Sequence, residues 1–240
     1  MKANKHFPYH RPPNRFLAAD DARITKYQED ARFAFMITQV DFTRNRLLDI
    51  GCNTGFFLFE ALDHGAASAV GYEGAPQTQE LMAHYIELAE APITLQRHYY
   101  DFRFSDADRY DVVFLLNVVH HFGDDYGNPE TDLASAKQKM LDNINVLASH
   151  CQTLIFQMGF NWHGDITKPI FSHGTKAEMI AFIRSGTHGF WKERAIGVAD
   201  KDSEGNVSYH LLDEANILRR DDLGEFLNRP IFIMDSVGIL

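Results

Sequence analysis

The stretch Asp49-Ile50-Gly51-Cys52-Asn53-Thr54-Gly55-Phe56 sets small residues between one apolar run and the next. Small residues in a strand-to-helix turn let a ligand approach the main chain closely, and the helix that follows presents unbonded N–H groups. The turn lacks the Lys-Ser/Thr pair of a phosphate loop, which disfavours a nucleoside triphosphate, and the three-glycine spacing of the dinucleotide fingerprint. Glu73 closes the next apolar run, where a carboxylate can accept both hydroxyls of a ribose. Asp101 follows the third run, where a short acceptor suits the exocyclic amine of adenine. Asp106 and Asp108 stand close by, and a plain surface carboxylate is an equal reading of Asp101. Together these segment ends match the rule that open α/β sheets bind ligands at their carboxyl edge.

The elements that must position these groups follow from hydrophobic periodicity. Residues 1–20 read as an irregular arm, because Pro8, Pro12 and Pro13 block regular structure. Ile24, Tyr27, Ala31, Phe35 and Ile37 recur at near-helical spacing, which predicts a helix over 20–40 capped by Asp20 or Asp21. Strands are predicted at 46–50, 69–73, 93–96, 111–116 and 153–157, with helices at 56–63, 76–89 and 129–148 between them. This alternation means βαβ units and a parallel, doubly wound sheet. A helix at 175–184 and strands at 192–198, 207–211 and 230–234 complete the chain. The segment 199–228 is an excursion too short for a core of its own, so residues 1–240 are expected to form one domain with an arm and helix at 1–40.

Composition narrows the class. The 240 residues are 45% hydrophobic, with 19 Phe, 9 Tyr and 2 Trp, enough apolar surface for a sizeable core. No run approaches the roughly 20 apolar residues of a membrane span. The amino-terminal residues carry no signal-like apolar stretch, and two cysteines make no disulfide framework, so a reducing, cytoplasmic setting is expected. The formal charge of −10 argues against nucleic acid as the partner. Arg11, Arg15, Arg44 and Arg46 could make a local basic patch, but solvated arm and loop arginines are the simpler reading.

The segment 46–159 resembles the class I S-adenosylmethionine-dependent methyltransferase family. Asp49 to Gly55 resembles its first motif, Glu73 its ribose-binding acid and Asp101 its adenine-contacting acid. Tyr110-Asp111-Val112-Val113-Phe114 with Leu116-Asn117-Val118-Val119-His120-His121 resembles its fourth motif. The resemblance implies a Rossmann-like seven-stranded sheet with an antiparallel last strand, and S-adenosyl-L-methionine as cofactor. It also implies a cofactor site at Asp49, Gly51, Cys52, Asn53, Gly55, Phe56, Glu73, Asp101 and Asn117, with the methionine moiety near Gly51 and Asn117. Tyr27 and Arg32 would cover the cofactor and pair its carboxylate, although a solvent-facing arginine is an equal reading.

Methyl transfer is an in-line displacement, so the protein aligns the acceptor and, where needed, removes its proton. His120 and His121 follow the fourth strand beside the expected methyl position, and imidazole titrates near neutrality. In an extended chain they point to opposite faces, so one alone is expected to reach the acceptor, with His121 favoured. Packing histidines are the alternative. His163, beside Asn161 and Trp162 in the 159–165 segment, is a further candidate base, and Trp162 a stacking surface, in what could also be an ordinary loop. His120, His121, Asp124 and Asp125 could hold a metal, but nothing sets a ligand spacing, so none is expected. The function expected is methylation, chiefly on oxygen, of a small polar acceptor such as a sugar, nucleotide-sugar or other metabolite. The 46–159 segment also faintly resembles methyltransferases of bacterial surface-polysaccharide pathways, which admits a glycan. The alternatives are a tRNA wobble-uridine modifying transferase and a non-catalytic S-adenosylmethionine-binding partner subunit.

Overall fold

Strands apolar on both faces need cover on both sides, and that requirement organises this chain. The computed structural model describes residues 11–17, 27–105 and 107–238. Strands β1 (Arg46–Ile50), β2 (Ser68–Tyr72), β3 (Ile93–Gln96), β4 (Tyr110–Leu116), β5 (Cys151–Gln157), β6 (Trp191–Lys201), β7 (Val207–Leu211) and β8 (Ile231–Ser236) form one sheet. Its order is β3-β2-β1-β4-β5-β8-β6-β7. The first five strands are mutually parallel, and β8 runs antiparallel between β5 and β6. The doubly wound sheet and its antiparallel last strand are those expected.

The sheet has eight strands rather than seven. The additional strand, β7, belongs to the 199–228 excursion and pairs antiparallel with β6 from Gly197↔Leu211 to Lys201↔Val207. Asp202 folds the chain back, its Oδ1 accepting the amides of Glu204 (2.8 Å) and Asn206 (2.9 Å). Gly205 takes the positive φ of +91° that the turn needs.

Helices α1 (Glu29–Gln39), α2 (Phe56–Asp63) and α3 (Pro76–Ala89) cover one face; α4 (Leu133–Val146) and α5 (Lys176–Thr187) cover the other. Along β4, Val113 and Leu115 pack toward α4 and α5, while Val112, Phe114 and Leu116 pack toward α1 and α2. Helix α1 starts at Glu29, after Gln28 in a left-handed conformation (φ 49°). Residues 18–26, with the candidate caps Asp20 and Asp21, lie outside the described residues. Helix α4 starts later than 129, because Asp132 caps it by accepting the Ser135 amide at 2.8 Å. A short helix, α6 (Gly224–Leu227), precedes β8. Among the described residues no helix is long and apolar enough to cross a membrane.

The described part of the arm lies on α2. Thr54 Oγ1 donates to the Arg11 carbonyl (2.9 Å) and the Asn14 amide to Glu60 Oε1 (3.1 Å). Arg11 pairs with Asp30 and Arg15 with Asp63, so these two cations are neutralised locally and build no shared basic face.

Candidate active site

The order β2-β1-β4-β5 puts four parallel carboxyl ends in a row, and the strand order reverses between β1 and β4. A cleft of about 430 Å³ opens there. Of the residues singled out above, Tyr27, Gly51, Asn53, Glu73, Asn117, His120, His121 and His163 line it; so do Tyr72, Gly74, Tyr99, Tyr126, Phe226 and Arg229.

The glycine turn earns its composition. Gly51 has φ +79°, and a Cβ there would stand 2.7 Å from Val118 Cγ2, so the main chain is bare where it faces the cleft. Gly55, at φ +81°, opens α2. Asn53 is left-handed as well (φ 50°), and its amide donates to Glu73 Oε2 at 2.9 Å. The other oxygen of Glu73 accepts the Ala75 amide at 2.7 Å. The carboxylate is therefore oriented by the main chain on both oxygens. The ring of Tyr99 lies against Gly74, where a Cβ would come within 2.3 Å of it. Burial, then the charges of Asp125, Glu73 and Asp124, push the Tyr99 phenol up to about 12.

Several expected residues stand outside the lining. Asp49 is buried behind the turn; burial first, and then Glu73, raise its carboxyl to about 8 against the opposing pull of Arg32. Cys52 is buried with Sγ 3.2 Å from Met82 Sδ, and burial holds its thiol well above the usual range. Gly55 and Phe56 are likewise outside the lining, with Phe56 fully buried. Arg32 is neither solvent-facing nor in the cleft: it is fully buried, its guanidinium 4.7 Å from the Phe57 ring centroid and 5.4 Å from that of Phe226. Asp101 turns outward with 62% of its side chain exposed and pairs with Arg103, so the structure does not bring it to the cleft.

The three histidines separate by their hydrogen bonds. The Gly159 amide donates to His120 Nδ1 at 3.1 Å, so the proton of this buried ring resides on Nε2. Burial, then His121, Arg229 and His163, lower its basicity well below the ordinary value. His163, at φ 59°, has Nε2 3.0 Å from the Phe122 carbonyl, which only an N–H can satisfy. Trp162 Nε1 donates to the same carbonyl at 2.8 Å. The indole thus ties the 159–165 loop to the 119–121 turn and is not part of the cleft lining. His121 differs from both: its Nδ1 lies 3.5 Å from Asp125 Oδ2, with 25% and 16% of the two side chains exposed.

Sequence reasoning passed over Arg229. Its Nη1 donates to Asn117 Oδ1 (2.7 Å), and its Nε and Nη2 grip Glu225 (3.1 and 2.5 Å). Asn117, left-handed at φ 64°, donates from Nδ2 to Gln157 Oε1 at 3.1 Å. His121, Asp124 and Asp125 bring ligand-type atoms within 4.8 Å of one another, and clustering of exposed acidic groups is common without an ion.

A family described as "Methyltransferase domain" matches residues 19–165, more than half of the chain. The chain belongs to the class I S-adenosylmethionine-dependent methyltransferases. Its cofactor is S-adenosylmethionine. The bare backbone at Gly51, the doubly anchored Glu73 carboxylate and the aromatic wall at Tyr99 suit such a nucleoside sulfonium. Solved methyltransferases share the fold: magnesium protoporphyrin IX methyltransferase from Synechocystis PCC 6803 with bound SAM has a TM-score of 0.53 at 14% identity, over 88% of this chain and 78% of that one. A Listeria monocytogenes protein assigned to the S-adenosylmethionine-dependent methyltransferases has a TM-score of 0.55 at 12% identity, over 88% and 98%. In sequence, the tRNA U34 carboxymethyltransferase of Helicobacter pylori (strain G27) is 30% identical over 76 residues, 30% of this chain and 29% of that protein. Its Wolinella succinogenes counterpart is 25% identical over 120 residues, 49% of this chain and 42% of that protein. The matched part spans less than half the length of these relatives.

Proposed function

We propose that this methyltransferase acts on an oxygen of a small polar acceptor, with His121 as the general base and Asp125 as the group that orients it. The observation that carries this reading is the division of labour among the three cleft histidines. The basic nitrogen of His120 is occupied by the Gly159 amide, and Nε2 of His163 is committed to donation. His121 alone has a carboxylate beside Nδ1, an arrangement that favours the tautomer with a lone pair on Nε2. When bound, S-adenosylmethionine supplies an electrophilic methyl group on a sulfonium, with a neutral thioether as leaving group. Glu73 holds the ribose, Gly51 and Asn117 border the methionine portion, and Tyr99 takes the place foreseen for Asp101 beside the nucleoside. Residues 1–240 are read as one domain, whose excursion brings Phe226 to the cleft.

A second reading, a tRNA-modifying transferase, is favoured by the names of the sequence relatives. The charge of −10 and the local pairing of Arg11 and Arg15 favour the small acceptor over it. Transfer of tritiated methyl to sugar, nucleotide-sugar, metabolite and tRNA fractions tests both. Label in a small-molecule fraction is expected. Label in tRNA would establish the second reading, and cofactor binding with no label in any fraction would make the chain a partner subunit.

A further inference from the structure

We propose that Arg229 and His120 form an oxyanion subsite, and that the methyl acceptor carries a carboxylate or phosphate group bound there. This rests on the small-acceptor reading and narrows it to an anionic class. Arg229 lines the cleft although only 11% of its side chain is exposed. Of its five N–H groups, Nε and one on Nη2 serve Glu225, and one on Nη1 serves Asn117. One N–H on each terminal nitrogen remains without an acceptor among the described residues. Charged donors left so in a sheltered cleft await an anion, and a guanidinium meets a carboxylate or phosphate through two parallel bonds.

The fork is held in place before any ligand arrives. Gln157 Nε2 donates to the Arg229 carbonyl at 2.9 Å, while Asn117 and Glu225 hold the guanidinium. Glu225 divides its charge, since its Oε1 also accepts the Phe160 amide at 3.1 Å. His120 supplies the second donor: with Nδ1 occupied, its Nε2 carries the proton. Gly159 sits between the two. A Cβ on it would lie 2.8 Å from His120 Nε2 and 3.2 Å from Arg229 Cζ, so this glycine leaves the donors room to converge. The low basicity of His120 keeps the ring a neutral donor beside the guanidinium rather than a second cation. Position assigns the anion to the acceptor. Glu73 stands at the end of β2 and Gly159 beyond the end of β5, three strands along in the order β2-β1-β4-β5. At about 4.8 Å per strand that is roughly 14 Å, beyond the turn that faces the cofactor.

The test uses the full chain loaded with S-adenosylhomocysteine and inorganic phosphate as probe, followed by ³¹P line broadening. Saturable phosphate binding is expected, weakened tenfold or more by Arg229→Gln and severalfold by Arg229→Lys. S-adenosylhomocysteine affinity should stay within threefold. Glu225→Gln, which removes the competing carboxylate, should tighten phosphate severalfold, and it carries the test if Arg229→Gln does not fold. Equal phosphate binding by wild type and both Arg229 variants would overturn the subsite. A tenfold loss of S-adenosylhomocysteine affinity in Arg229→Gln would overturn the assignment to the acceptor, because the guanidinium would then serve the cofactor's own carboxylate. Methylation of uncharged sugars, unaffected by Arg229→Lys, would overturn the subsite and leave the small-acceptor reading standing. Label in tRNA would overturn that reading instead.

Discussion

Replacing Glu73 by Gln changes two things that the structure allows to be counted separately. Each carboxylate oxygen accepts a backbone amide, from Asn53 at 2.9 Å and from Ala75 at 2.7 Å. A carboxamide keeps one acceptor and turns an NH₂ toward the other N–H. One buried amide therefore loses its partner, which costs about 1–3 kcal/mol of stability. The second change is felt by the ligand, since a charged acceptor for the ribose hydroxyls is replaced at best by a neutral one. That loss is about 1.5–3 kcal/mol, or roughly ten- to a hundredfold in affinity. A third consequence follows for Asp49, whose carboxyl is raised to about 8 partly by the Glu73 charge; removing the charge lowers it. Calorimetric titration with S-adenosylhomocysteine, chemical denaturation and an NMR titration of the Asp49 carboxyl read the three effects independently. A folded Glu73→Gln variant with wild-type affinity would refute the placement of the ribose at Glu73. Weaker binding with no movement of Asp49 would refute the coupling of the two carboxyls.

The remaining predictions address the turn, the base and the buried acid. Gly51→Ala combines a left-handed φ with a Cβ 2.7 Å from Val118 Cγ2, so denaturation should show a loss of at least about 1–2 kcal/mol, and calorimetry little or no S-adenosylhomocysteine binding. His121→Asn should slow single-turnover methyl transfer by roughly 10²–10⁴ and abolish the fall in rate on the acid side of neutrality; His120→Asn should instead lower stability by about 1–3 kcal/mol through the Gly159 amide and leave the pH profile unchanged. Asp49 keeps its proton in the fold up to about 8, whereas the unfolded chain releases it near 3.8. Its contribution is thus full below about 4, declines as pH rises to about 8 and is level above; Asp49→Asn should flatten that decline, by at most about 4 kcal/mol at pH 7, in denaturation curves across the range.

The sheet was legible because its signals are local. The runs 46–50 and 111–116 carry apolar residues on both faces, as suits a strand covered on both sides. The eighth strand was legible as a strand but not as part of the sheet. Its pairing depends on β6 extending to Lys201, past the apolar stretch that marks it, and on an Asp202 turn whose effect is to return the chain alongside. The start of α4 was blurred for a related reason: Asp132 is one of several polar residues in that stretch, and which of them caps the helix is a matter of the packing around it.

At the site, the residues most legible in the sequence are those whose side-chain type is forced by the backbone. Gly51 must be bare at φ +79°, and Glu73 must be an acceptor because two amides point at it. The residues whose placement was least legible are long cations and a short acid in a loop. Arg32 looks like a surface lid on a helix, yet it is sandwiched by Phe57 and by Phe226 from the far end of the chain. Asp101 has the right spacing after a strand, but spacing does not say which side a loop carboxylate faces, and it is the aromatic Tyr99 just before it that lines the cleft. Arg229 meets Asn117 across 112 residues, a separation no local pattern spans. The tautomers of the histidines are likewise set by single carbonyls and amides of other segments, Phe122 for His163 and Gly159 for His120. Three imidazoles that are equivalent as letters become a ring that accepts the Gly159 amide, a tether to Phe122 and a partner of Asp125 only once those groups are in place, so the chemistry open to this cleft is decided by the fold that surrounds it.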